Sequence, residues 1–155
     1  GERLEPLECA GTLHWALAVA RRGLSTPTVY HRFDERVAAG TSTPMDAGRG
    51  RPGELIGALA RGDAATVAGL LVNDLQPAAL DLYPGLAATL ELGRAAGALA
   101  GIVSGSGPTC AFLCADGDAA RAVAAVLGPS PEVTAVRTAT GAAPGALGPV
   151  GGDPR

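Results

Sequence analysis

The sequence predicts an α+β fold: a split βαβ sandwich with extra helices inserted ahead of a hairpin. Three observations carry that expectation. Two short apolar runs, Ile102–Ser104 and Thr109–Cys114, flank a glycine-punctuated turn and read as paired strands. A third run, Thr12–Ala20, stands far upstream, with helical patterns between it and the hairpin. A helical pattern and a last apolar stretch, Val133–Ala139, follow the hairpin. Strand, helices, strand, strand, helix, strand is the order of a ferredoxin-like sandwich, and 155 residues suffice for one such domain with a real core.

Each element has its own signal. Thr12–Ala20 (TLHWALAVA) is compact, apolar and closed by Arg21-Arg22-Gly23. Ser25-Thr26-Pro27 then opens a helix, with Thr26 as N-cap and Pro27 at the first helical position, continuing through Val29, Tyr30 and Phe33. Residues 41–53, rich in Thr, Gly, Pro and Asp, form a surface loop. Glu54–Ala60 and Ala64–Leu71 read as helices split at Gly62-Asp63, and Pro84–Ala96 as a longer one burying Leu86, Leu90 and Ala96. Asp118 can cap an amphipathic helix over Asp118–Leu127. The domain so defined spans residues 1–140; the Gly/Pro-rich tail from Gly141 to Arg155 lacks periodicity and is expected to be disordered.

Composition narrows the chemistry. The hydrophobic fraction is 47% with aromatics at only 3%, so small residues build the core around Trp15, Tyr30, Phe33, Tyr83 and Phe112. All 12 basic residues are Arg, which excludes a phosphate-binding loop of the kind that needs Lys. A net charge of −3 without any arginine cluster beyond Arg21-Arg22 argues against a nucleic-acid face. No segment has the length and apolarity to span a membrane. Three cysteines, an odd number, fit a reducing compartment. Cys110 and Cys114 share one face of a strand about 13 Å apart, too far for a disulfide or a shared metal, and read as small buried apolar residues. His14 and His31 lack a partner at ligand spacing, so no metal site is expected. Because the chain opens at Gly1, it is expected to have been processed or cut from something longer.

The turn of the hairpin is the richest feature. Gly105 and Gly107 permit positive φ and close approach, successive amides can form a concave nest for an anion, and Ser104, Ser106 and Thr109 add hydroxyls. An ordinary glycine hairpin explains the same residues. A dinucleotide fingerprint does not, because Cys110 stands where its third glycine belongs. Nor does a nucleophile elbow, since Ser104 and Pro108 flank Ser106 at the glycine positions.

Three segments together carry a resemblance: Leu24-Ser25-Thr26-Pro27-Thr28-Val29-Tyr30, Val72-Asn73-Asp74-Leu75-Gln76 and Val103-Ser104-Gly105-Ser106-Gly107-Pro108-Thr109. In this order they resemble the C-terminal half of the 4-diphosphocytidyl-2-C-methyl-D-erythritol kinases, within the GHMP kinase superfamily. The opening Gly1-Glu2-Arg3-Leu4-Glu5-Pro6 resembles the segment joining that family's two halves. The resemblance runs to about residue 140, and the loop alone fits several GHMP kinases.

The resemblance implies a cytoplasmic enzyme of non-mevalonate isoprenoid synthesis that moves the γ-phosphoryl group of ATP to the substrate's 2-hydroxyl. It implies that the catalytic Asp, its partner Lys and the main ATP loop lie in the N-terminal half, so this chain carries no catalytic residue and ATP, with Mg2+, is bound mainly by that missing lobe. Thr26 and Tyr30 match positions lining the cytidyl pocket, and Gly105, Ser106 and Gly107, with Ser104, match the loop near the phosphates. Capping explains Thr26 equally simply, whereas for Tyr30 the pocket role is favoured over packing in the core. Asn73 and Asp74 read as structural, bonding a helix end or a turn. Another GHMP kinase, of homoserine or mevalonate type, and a non-catalytic ferredoxin-like ligand-binding module are the alternatives.

Overall fold

The structure, a computed structural model, describes residues 9–42 and 52–141. The opening segment, most of the loop expected at 41–53 and the tail beyond Gly141 lie outside the described residues. Four strands, β1 (Leu13–Ala20), β2 (Ala100–Val103), β3 (Thr109–Cys114) and β4 (Val133–Gly141), form one sheet in the order β2-β3-β1-β4. Every pairing is antiparallel, which is the order of the ferredoxin-like split βαβ sandwich expected from the sequence. The helices are α1 (Thr26–Ala38), α2 (Pro52–Arg61), α3 (Ala64–Leu70), α4 (Gln76–Leu82), α5 (Gly85–Ala95) and α6 (Gly117–Leu127).

Strand alternation sorts the core into two clusters. Ala16, Ala18 and Ala20 of β1 join Cys110, Phe112 and Cys114 of β3 on one face, under Val29, Ala79, Leu86, Leu90, Val123 and Leu127 from the helices. On the other face Leu13 and Leu113 meet Ala58 of α2 and Val67 of α3. The inserted helices therefore divide: α2 and α3 cover the sheet face that a simple two-layer sandwich leaves open.

Phe112 is the largest fully buried side chain of the main cluster. It fits because Gly93 on α5 and Gly101 on β2 leave room for its ring; a Cβ on Gly101 would stand 2.7 Å from Phe112 Cε1. Cys110 and Cys114 are both buried and free, and burial alone pushes the Cys110 thiol up to about 12. They pack as apolar residues and hold no accessible thiolate.

The outer edge of β2 is closed by side chains. Arg94 Nη2 donates to Gly101 O at 3.0 Å, Val103 N donates to Gln76 Oε1 at 2.8 Å, and Asn73 Nδ2 donates to Val103 O at 2.7 Å. With those groups satisfied, the edge offers little to a further strand.

Four local expectations are corrected. Helix α4 is an addition to the elements read from the sequence; its buried positions are Ala78 and Ala79, which give no hydrophobic period. Asp116, not Asp118, caps α6, accepting from Ala119 N at 2.8 Å. Ser25 occupies the N-cap of α1 without a side-chain bond, and Thr26 is already helical. Tyr30 is no core anchor: it is 53% exposed, while Tyr83 and Phe112 are buried and Trp15 and Phe33 are half-buried.

Helix α1 is fastened to α4 through Asp81, which accepts from Arg32 Nε at 2.8 Å and Arg36 Nη1 at 2.7 Å. The Arg36 bond, then Arg32, holds the Asp81 carboxyl below its ordinary range. Such a group stabilises the fold above about pH 4 and loses that contribution as pH falls through its lowered folded value. Asp81→Asn should cost about 0.2–1 kcal/mol per lost pair at pH 7, and urea titrations at pH 7 and pH 3 should show the gap from wild type narrowing in acid. Gly93→Ala drives a methyl into the Phe112 ring and should cost about 1–3 kcal/mol, read as a lowered thermal midpoint.

Candidate functional site

The loop between β2 and β3 meets two other parts of the chain. Its base is a turn: Ser104 N donates to Thr109 O at 2.8 Å and Gly107 N to Ser104 O at 2.9 Å. Gly105 and Gly107 have φ of +55° and +84°, the left-handed region that their lack of a Cβ makes accessible. Pro108 has no N–H, so the loop's remaining amides are those of Gly105 and Ser106. Neither donates to an acceptor among the described residues. Two successive amides without an acceptor among the described residues, beside left-handed glycines, are backbone of the kind that can cradle an anion.

The first contact comes from α1. Thr26 Oγ1 and Ser106 Oγ lie 2.9 Å apart, within hydrogen-bond distance, across 80 residues of sequence. Segments that carried separate expectations, the start of α1 and the glycine loop, are thus adjacent. Tyr30 stands one turn further along α1, four residues on from Thr26, with its ring exposed. Exposure removes the core-packing explanation for this tyrosine.

The second contact comes from the turn entering α4. Asn73 Nδ2 donates to Val103 O at 2.7 Å and to Gly105 O at 2.8 Å, while Asn73 Oδ1 accepts from Leu75 N at 3.0 Å. The structural role expected of Asn73 holds, and it extends to the loop. Gln76, accepting from Val103 N, was not singled out in the sequence. Nothing local marks it, since its partner lies 27 residues away.

Neither of two clefts is lined by a residue of the loop. One of about 330 Å3, lined by Asn73, Gln76, Arg94 and Leu99, runs behind the loop along the β2 edge. Another of about 280 Å3, lined by His14, Arg121, Thr138 and Thr140, lies near the start of β1. The loop adjoins the other end of that strand, where Val19 pairs with Thr109. Among the described residues no cluster of three metal-ligating side chains is present.

The two loop glycines differ in surroundings. A Cβ on Gly107 would meet Val103 Cγ1 at 3.2 Å and Leu24 Cδ1 at 3.3 Å, whereas one on Gly105 would enter open space. Both substitutions incur the left-handed penalty of about 1–2 kcal/mol, so Gly107→Ala should exceed Gly105→Ala in denaturant titrations by the added crowding.

Comparison with known proteins gives this geometry a family. Residues 55–131 match the family model described as GHMP kinases C terminal. Along 146 residues, 94% of this chain, the sequence is 56% identical to a 4-diphosphocytidyl-2-C-methyl-D-erythritol kinase of Rhodococcus jostii, of which it covers 46%. A crystal structure of 4-(cytidine 5'-diphospho)-2C-methyl-D-erythritol kinase superposes with a TM-score of 0.67 at 27% identity, covering 90% of this chain and 46% of that one. A mevalonate kinase from L. major superposes at 0.66 with 19% identity, covering 88% of this chain and 44% of that one, a likeness of fold alone. The chain spans about half the length of the curated relatives it matches. By sequence and by fold, it belongs with the C-terminal domains of the GHMP kinases.

Proposed function

We propose that this chain is the C-terminal lobe of a 4-diphosphocytidyl-2-C-methyl-D-erythritol kinase, which phosphorylates the substrate's 2-hydroxyl in non-mevalonate isoprenoid precursor synthesis in the cytoplasm. The observation that carries this reading is 56% identity to a protein of that name along 94% of the chain. The contact between Thr26 and Ser106 supports it, because it joins the two segments to which a cytidyl pocket and a phosphate loop were assigned.

In this reading each residue has a physical task. The exposed Tyr30 ring offers a face on which cytosine stacks, and Thr26 presents a hydroxyl at the same helix face. The free amides of Gly105 and Ser106 fit a phosphate oxygen, and phosphoryl transfer rests mainly on such positioning and charge stabilisation. ATP with Mg2+ supplies the phosphoryl group when bound, held mainly by the N-terminal half together with the catalytic Asp and Lys. This lobe orients; it contributes no proton transfer of its own.

The test uses the full-length protein. It should phosphorylate the cytidyl substrate from ATP and turn over neither mevalonate nor homoserine, while the isolated 155-residue chain should be inactive. Preference for mevalonate or homoserine would move the chain to another GHMP kinase, and absence of any turnover would favour a binding module. Tyr30→Ala should raise KM for the cytidyl substrate about tenfold, the value of one lost stack, and leave KM for ATP within about twofold. Equal weakening of both substrates would remove Tyr30 from the pocket.

A further inference from the structure

We propose that Asn73 is the positioning residue of the phosphate loop, fixing the Gly105–Ser106 peptide so that the Ser106 N–H is presented to a phosphate oxygen. The inference rests on reading that loop as a phosphate site. In a trans peptide the C=O and the following N–H point in opposite directions. Asn73 Nδ2 holds Gly105 O at 2.8 Å, so the Ser106 N–H must point away from the turn that carries Asn73. No described residue accepts it there.

The side-chain amide is itself fixed. Asn73 Oδ1 accepts from Leu75 N, which sets the amide's orientation and leaves both Nδ2 hydrogens for Val103 O and Gly105 O. Gln76 secures the other side of Val103 through its N–H. The last residue of β2 is therefore held at both backbone groups, and the Gly105–Ser106 peptide is held at its carbonyl. Without that bond, the described residues restrain the Gly105–Ser106 peptide through the hydroxyl contact of Ser106 with Thr26 and through the turn bond from Gly107 N to Ser104 O, which holds the peptide's flanks and not its plane. Left-handed Gly105 has no Cβ to resist rotation of the plane. A carbonyl oxygen turned towards the phosphates would then replace an N–H donor by a repulsive acceptor.

A purely structural role, capping the turn into α4, makes a different prediction. Asp at position 73 keeps the oxygen that Leu75 N needs, and Asp caps helices as well as Asn does. It replaces the two donors aimed at the loop by a carboxylate oxygen, which repels Val103 O and Gly105 O instead of holding them. In the full-length enzyme Asn73→Asp should lower kcat about 100-fold, the effect of losing one preorganised donor, and leave KM for the cytidyl substrate within about threefold. A kcat within threefold of wild type would overturn the proposal. Should the variant not fold, the wild-type protein decides: addition of β,γ-imido-ATP should shift the amide resonance of Ser106, and binding without that shift would overturn the proposal. Failure of the underlying reading is separate, because it appears as wild-type protein that transfers no phosphate at all.

Discussion

The register between β1 and β3 is the constraint on which the remaining architecture depends. Ala16 opposite Phe112 and Ala18 opposite Cys110 place small residues of the central strand against the main cluster. A slip of one residue would turn those positions to the other face and bring Trp15 and Leu17 into a space shaped for alanine. The same register puts Val19 beside Thr109, so β1 ends where the glycine loop begins its return. Only five residues, 21–25, then separate β1 from α1, and Thr26 arrives within hydrogen-bond distance of Ser106. Core and candidate site are two consequences of one pairing.

The small-residue composition has a mechanical consequence. With few aromatics, close approach of backbone to side chain replaces bulk: Gly93 and Gly101 both abut the ring of Phe112. Packing of this kind tolerates little added volume, because neighbouring elements lack long side chains that could move aside. Fixing α5 against β2 and β3 also fixes Arg94, whose guanidinium satisfies Gly101 O on the exposed strand edge. The edge that supports the loop is thus stiff at Gly101 and at Val103, where Asn73 and Gln76 complete the series.

Much of this was legible in the sequence, and the limits have physical causes. Strand β1, the hairpin and α6 announce themselves because apolar runs and glycines act over a few residues. So does the split between α2 and α3, where Asp63 accepts from Thr66 N at 3.0 Å. Helix α4 stayed hidden because two alanines supply its buried face, and alanine has no strong hydrophobic signature. Asp116 and Asp118 compete for one cap, and only the backbone decides between them: Asp116 is extended, with φ of −155°. At the site, the loop and Thr26 were found as separate motifs. Their contact, like that of Gln76 with Val103, spans too many residues for any local pattern to encode. Tyr30, expected both among the core aromatics and in the pocket, is exposed, and one helical turn of sequence does not reveal which face is covered.

The loop's chemistry finally explains why one lobe is insufficient. None of Ser104, Gly105, Ser106, Gly107, Pro108 or Thr109 carries a charge, and the whole chain has a net charge of −3. Attraction for a phosphate therefore has to come from backbone dipoles and hydroxyls. In water such dipoles compete with solvent and give little; in a site closed to solvent the same N–H groups become strong, since the interaction grows as the local dielectric falls. Ser104 and Gly105 are exposed in this lobe, so its own surface does not supply that closure. On the proposed reading, the N-terminal half supplies both cationic charge and cover. The C-terminal lobe then contributes what a rigid hairpin can: donors already turned to the right side before the ligand arrives, held there by an asparagine whose own bonds are nearly all used.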